Sequence, residues 1–268
     1  MDDQGLLDLA TELAAQAGAT ILAIRERGFR VEHKADRSVV TEADHAAEAI
    51  ILAGLRAALP GCVVVAEEEV AAGKIGAGKI GAGKIGAGEG GAATAEFWLV
   101  DPLDGTREFS GGGNDFAVNI GLVRDGRPVL GVVGVPATGA IYGGIVGVGA
   151  WRQVDGIRSG ISARAVPPEG LTVVASRHHG DQAQLDAFLG GRVVAAVVNF
   201  GSSLKFCRVA EGLADVYPRF GRTMEWDTCS PQAVLEAAGG SVETLDGRPL
   251  RYGKAGWDNP HFVCWGRR

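Results

Sequence analysis

Asp101 and Asp104 stand three residues apart at the end of the apolar run Phe97-Trp98-Leu99-Val100, with Gly105 and Thr106 immediately after them. Pro102 fixes φ and removes an amide donor just after Asp101, which stiffens the turn. Two carboxylates on a stiff turn at the carboxyl end of a strand can hold one or two hard cations. Gly105 and Thr106 offer free backbone N–H groups at the expected start of a helical turn, a site for an anion. Divalent metal plus phosphate is the chemistry this spacing predicts. Glu67 and Asp227 stand at the ends of two further predicted elements. Taken singly, Asp227 has the residue type of a helix N-cap, and a DxxD turn is ordinary solvated surface. Taken together with the Gly-Thr turn, the four acids predict a shared magnesium site, because magnesium takes a few carboxylates, waters and phosphate oxygens.

These residues need elements to carry them. Apolar residues at helical spacing predict a first helix over residues 6–27, stopping near Gly28, and a second from Thr41 through Leu55 to Pro60-Gly61. Residues 62–66 read as a buried strand ending at Glu67-Glu68-Glu69. From Asp115 the pattern becomes sheet-like: residues 116–120, a turn at Asp125-Gly126, then 129–135 and 140–148. The second half alternates strands (171–175, 193–199, 214–217) with helices (182–189, 202–211, 227–238), a βαβ rhythm. An α+β half over residues 1–155 and an α/β half over 156–268 follow, joined near 150–165 by a less regular connection.

Composition narrows the function classes. At 46% apolar and 22% charged residues the 268-residue chain has a globular composition. Its formal net charge of −6 argues against a partner such as a nucleic-acid polymer. No signal-peptide pattern and no uninterrupted apolar run of transmembrane length are present, so stable membrane insertion is not expected and a cytoplasmic location is. Cys62, Cys207, Cys229 and Cys264 are scattered without a CxxC pair, which suits reduced thiols. Residues 71–90 form a five-residue tandem repeat, AAGKI-GAGKI-GAGKI-GAGEG. Gly78 to Lys84 has the spacing of a P-loop, but Ile85 stands where Ser or Thr would hold magnesium, and no strand leads into it. A flexible Gly-rich insertion is the expectation.

Three segments carry a resemblance: Val65-Ala66-Glu67-Glu68, residues 98–109 (WLVDPLDGTREF) and Glu225-Trp226-Asp227. They resemble the metal motifs of the inositol monophosphatase superfamily, and within it the 3′(2′),5′-bisphosphate nucleotidases of the CysQ group. Residues 34–44 (KADRSVVTEAD) and 201–220 (GSSLKFCRVAEGLADVYPRF) are similar to further segments of that group. The resemblance covers almost the whole chain except the repeat. It implies an alternating αβαβα sandwich of the inositol monophosphatase/fructose-1,6-bisphosphatase type, with metals between the halves. It implies Glu67, Asp101, Asp104, Asp227 and the Leu103 carbonyl as ligands of two or three Mg²⁺ ions, with Glu68 the alternative to Glu67. In-line attack by a metal-activated water would follow, with Thr106 hydrogen-bonding that water and Asp44 orienting Thr106. Thr41 to Asp44 also has the form of a capping box.

The same resemblance carries Gly105, Thr106, His179, Ser202, Lys205, Arg219 and Asp227 as substrate-binding positions, with His178 able to exchange with His179. Taken without it, such single basic residues are ordinary surface charge. The implied substrate is a small phosphorylated nucleotide, 3′-phosphoadenosine 5′-phosphate, giving AMP and phosphate, in sulfate assimilation and with lithium as an inhibitor. An inositol-phosphate or sugar-phosphate (fructose 1,6-bisphosphate) phosphatase on the same metal core is the alternative. A non-catalytic phosphate-binding protein is a third reading, against which the complete carboxylate set argues. Arg107 replaces a more usual Lys, and Thr228 to Gln232 (TCSPQ) departs from the typical stretch after the last acid. The residues leave the oligomeric state open.

Overall fold

The computed structural model describes residues 1–33, 39–74, 96–176 and 182–268. Helix α1 (Asp3–Arg27) is capped by the Asp2 side chain and stops at Gly28, whose φ of 81° is a conformation that favours glycine. By length and composition α1 could cross a membrane. In the fold its buried residues, among them Leu7, Ala10, Ala17 and Ile21, pack against the next helix and a sheet. A short hairpin, β1 (Val31–His33) with β2 (Val39–Thr41), leads into α2 (Glu42–Ala58).

Seven strands then form one sheet in chain order: β3 (Val64–Ala66), β4 (Glu96–Asp104), β5 (Ala117–Arg124), β6 (Arg127–Val135), β7 (Ala140–Ile145), β8 (Gly149–Val154) and β9 (Ile157–Ile161). Only β3 and β4 are parallel; the remaining neighbours are antiparallel. Two short helices interrupt the run, α3 (Glu67–Ala71) after β3 and α4 (Thr106–Ser110) after β4. Strand alternation sorts the sheet's two faces. Trp98, Val100, Ile120, Leu130 and Val132 pack under α1 and α2, whereas Leu99, Val123 and Val133 face the other way.

The second sheet holds five strands in the order β11-β10-β12-β14-β13: β10 (Leu171–Ser176), β11 (Val194–Phe200), β12 (Val216–Arg219), β13 (Ser241–Thr244) and β14 (Phe262–Trp265). Helix α5 (Gln182–Leu189) packs on one face through Leu185 and Phe188. Helices α6 (Leu204–Ala210) and α7 (Glu225–Ala237) pack on the other and touch the seven-stranded sheet as well. The layers are therefore αβαβα, as expected. The approach of α7 is close: a Cβ on Gly131 would lie 2.3 Å from the Ser230 carbonyl oxygen, so only glycine lets the helix rest on the strand backbone.

Several local expectations need correction. Residues 140–148 are not one strand, because the chain turns after Ile145. The stretch expected as an irregular connection is the β8–β9 hairpin, with Asp155-Gly156 as its turn. The exposed and glycine-rich residues there hide the alternation. Most of the repeat, from residue 75 onward, lies outside the described residues.

Candidate active site

The four acids reach one cleft because three elements end there. Glu67 opens α3 at the tip of β3, Asp101 and Asp104 close β4, and Asp227 lies in the first turn of α7. Asp101 pairs with Asn119 and Asp104 with Ala117, so β4 carries one extra residue between them. Residues three apart on a regular strand face opposite sides; the bulge brings both carboxylates to the α7 side. Asp101 is 2% exposed and accepts the Leu103 N–H at 3.0 Å, which locks the turn. Gly105 then takes φ 92°, with a Cβ position 2.7 Å from the Asp115 carbonyl oxygen, so glycine is required.

Asp44 settles into both of its expected positions. One oxygen accepts from the Thr41 N–H and hydroxyl, each at 2.7 Å, while Thr41 Oγ1 accepts from the Ala43 N–H at 3.1 Å, completing a capping box. The other oxygen lies 3.0 Å from Thr106 Oγ1, which is also 3.0 Å from the Leu103 carbonyl. A hydroxyl has one hydrogen, and the carboxylate is the stronger acceptor. With that hydrogen on Asp44, the Leu103 carbonyl keeps its lone pairs for another partner.

Asp227 is not the N-cap of its helix. Met224 holds that position, and Asp227, three residues on, reaches back to accept the Met224 N–H at 2.8 Å. Glu67 lines the cleft and Glu68 does not; Glu68 is buried, and its N–H donates to Glu48 at 2.8 Å. Glu48 on α2 thereby caps α3, whose own N-cap, Ala66, has no side chain for the task. Burial pushes the Glu48 carboxyl up to about 7.

Electrostatics make the cluster costly as it stands. Burial drives Asp101 well above the usual carboxylate range, and the charges of Glu67, Asp104 and Asp227 add to the rise. Asp227 is raised well above that range by burial, then by Asp104, with the Met224 N–H acting in the opposite direction. Burial raises Asp104 too, against Lys205 and two hydrogen bonds from Ser203. Asp44 is raised by burial against its bonds from Thr41 and Thr106. Desolvated acids that repel one another fit a hard cation, and every donor here is oxygen. Among the described residues no three acidic, His or Cys side chains form a cage around one point. An open row suits ions that keep water and phosphate oxygens as their other ligands.

The same cavity, about 230 Å³, continues to a basic side. Ser202 lines it in a left-handed conformation (φ 45°), rare for a residue with a side chain. Lys205 is buried beneath it; its ammonium donates to the Phe200 and Ser202 carbonyls and lies 5.4 Å from the Tyr217 ring centroid. Arg219 donates to Ser176 Oγ and to the Arg222 carbonyl, each at 3.1 Å. Among the described residues its buried Nε has no partner. His179 and His178 lie outside the described residues.

Ser203, Tyr217 and Phe262 also line the cavity and were not among the expected site residues. Ser203 acts through its backbone N–H, which donates to Asp104, and a backbone donor leaves no sequence signal. Of the divergent stretch after Asp227, Thr228 borders the cavity, while Cys229, Ser230, Pro231 and Gln232 are buried.

Comparison with known proteins adds the following. The inositol monophosphatase family model matches residues 2–261. An Escherichia coli K12 protein described as 3′(2′),5′-bisphosphate nucleotidase CysQ is 39% identical over 249 residues, covering 92% of this chain and 94% of its own. One of the same description from Aggregatibacter actinomycetemcomitans is 31% identical over 260 residues, covering 96% and 91%. A CysQ crystal structure from Bacteroides thetaiotaomicron superposes with a TM-score of 0.80 at 34% identity, covering 99% of this chain and 98% of its own. An inositol monophosphatase from Anabaena gives 0.73 at 26%, covering 98% and 91%.

Proposed function

This chain belongs to the inositol monophosphatase family and is a phosphatase of that family, and on that premise we propose that it removes the 3′-phosphate of 3′-phosphoadenosine 5′-phosphate, giving AMP and phosphate. One observation carries the choice of a bisphosphate over a monophosphate: the acidic row and the Lys205–Arg219 pair border a single cavity. A bisphosphate has one phosphate for each. The Arg219 guanidinium at the cavity wall supports the second contact, since its planar fork suits a phosphate. The names of the relatives at 31–39% identity agree with this choice.

Glu67, Asp101, Asp104, Asp227 and the Leu103 carbonyl would hold two or three Mg²⁺ ions. When bound, magnesium supplies Lewis acidity toward the phosphate oxygens and toward water. The chain's own residues do the rest. Thr106 Oγ1, its hydrogen on Asp44, presents a lone pair that accepts a hydrogen bond from the attacking water and aligns it. Burial raises Asp44, which makes its carboxylate the better acceptor for the departing proton. The N–H groups at Gly105 and Thr106 hold the transferring phosphate, and Ser202, Lys205, Arg219 and His179 hold the rest of the nucleotide. Residues 1–155 then supply most of the chemistry, and residues 156–268 the recognition and the last ligand. Lithium inhibition, a cytoplasmic location and a place in sulfate assimilation belong to the same proposal.

Phosphate release with magnesium, compared across 3′-phosphoadenosine 5′-phosphate, inositol 1-phosphate and fructose 1,6-bisphosphate, tests it. The nucleotide should lead by at least about tenfold in kcat/KM, and Asp101→Asn should lower turnover by about a hundredfold or more. A preference for inositol or fructose phosphate overturns the substrate and leaves the metal cluster. Full activity in Asp101→Asn overturns the cluster.

A further inference from the structure

Asn119 sits on β5 directly opposite Asp101 and is fully buried. Its Oδ1 lies 2.9 Å from Ser203 Oγ, while its Nδ2, among the described residues, has no partner. A buried amide N–H without an acceptor costs about 1–3 kcal/mol, so this orientation carries a penalty. Ser203 has a matching conflict. Its hydroxyl faces both the Asn119 oxygen and the Asp104 carboxylate, and it has one hydrogen to give. The charged acceptor takes that hydrogen. Ser203 Oγ then turns a lone pair toward Asn119, where an oxygen faces it.

A half-turn of the amide removes the conflict at Ser203, since oxygen and nitrogen exchange places with no change of shape, and the unpaired atom becomes a carbonyl oxygen instead of an N–H donor. We propose that Asn119 is a positioning residue for the carboxylate row: its Nδ2–H donates to Ser203 Oγ, which directs the Ser203 O–H onto Asp104. Ser203 then holds Asp104 by two donors, its hydroxyl and its backbone N–H. One carboxylate oxygen is committed to Ser203 and the other is left to the cavity. The role rests on the metal cluster of the proposed function and extends it to Ser203 in the cavity wall and to Asn119 buried behind it.

The test is Mn²⁺ binding by calorimetry on the whole protein without substrate, for Asn119→Ala, Ser203→Ala and the double variant. Each single change should weaken Mn²⁺ binding by about tenfold, the usual effect of removing a group that orients a ligand. The double variant should bind no more weakly than the weaker single, because both act through one hydrogen bond. Ser203→Ala removes a single oxygen and keeps the backbone N–H, so it reads the role even where Asn119→Ala folds poorly. A change of less than about twofold in Ser203→Ala, or effects that multiply in the double variant, overturns the proposal. A purely packing role would lower the metal-free unfolding midpoint and leave Mn²⁺ affinity unmoved. Substrate does not enter the measurement, so an error in the substrate leaves the outcome intact. A wild type that binds no Mn²⁺ overturns the metal cluster and this role together.

Discussion

Burial lowers the Lys205 ammonium to about 8; the Asp104 carboxylate beside it works against that fall, and Arg219 adds to it. In a cavity that must hold a second phosphate, this sets an alkaline limit on recognition. The free enzyme carries the Lys205 charge below pH 8 and loses it above, so kcat/KM for the bisphosphate should drop about fivefold between pH 8 and pH 9 as one group titrates. Lys205→Met should lower kcat/KM at pH 7 and abolish that alkaline limb. A limb unchanged in Lys205→Met would assign it to another group. The residue types at this site were legible because acids at strand ends, beside a Gly-Thr turn, have few plain structural uses in combination. Their arrangement was less legible. The spacing of Asp101 and Asp104 gives no sign of the bulge, and Asp227 looks like an N-cap until Met224 takes that place.

Helix α7 is where an element decides the site. It brings Asp227 to the row only because Gly131 lets Ser230 approach the sheet backbone. Gly131→Ala forces a methyl group against main-chain atoms that cannot rotate away. It should destabilise the protein by about 1–3 kcal/mol in urea unfolding, and the helix shift should weaken magnesium activation. Gly160→Ala on β9, where a Cβ meets nothing within 4 Å, is the control and should change neither. Equal midpoints for the two variants would mean that α7 adjusts without strain. The long helices were readable because their apolar faces are continuous, and α5 falls at its expected residues. Strands β8, β9, β13 and β14 were not. They are short, exposed or only half-buried, so packing decides them more than pattern does.

Across the whole molecule, two parallel neighbours frame the Gly-Lys repeat. Strands β3 and β4 pair in parallel, with Val64 opposite Trp98, and the chain between them returns from the cleft end of one to the start of the other. Parallel strands require a crossover of a dozen or more residues, and in general each doubling of an unstructured connection adds only about 0.6 kcal/mol of closure cost. Deleting residues 76–80, one repeat unit, should therefore leave the melting temperature within about 2 °C and turnover within about twofold. A large loss of turnover with unchanged melting would make the repeat part of the active site. The consequence reaches the gene. Tandem coding repeats gain and lose whole units when replication slips, and a whole unit preserves the reading frame. The fold places that source of copying error in a segment whose length it does not measure, so chains that differ in repeat number should inherit the same enzyme.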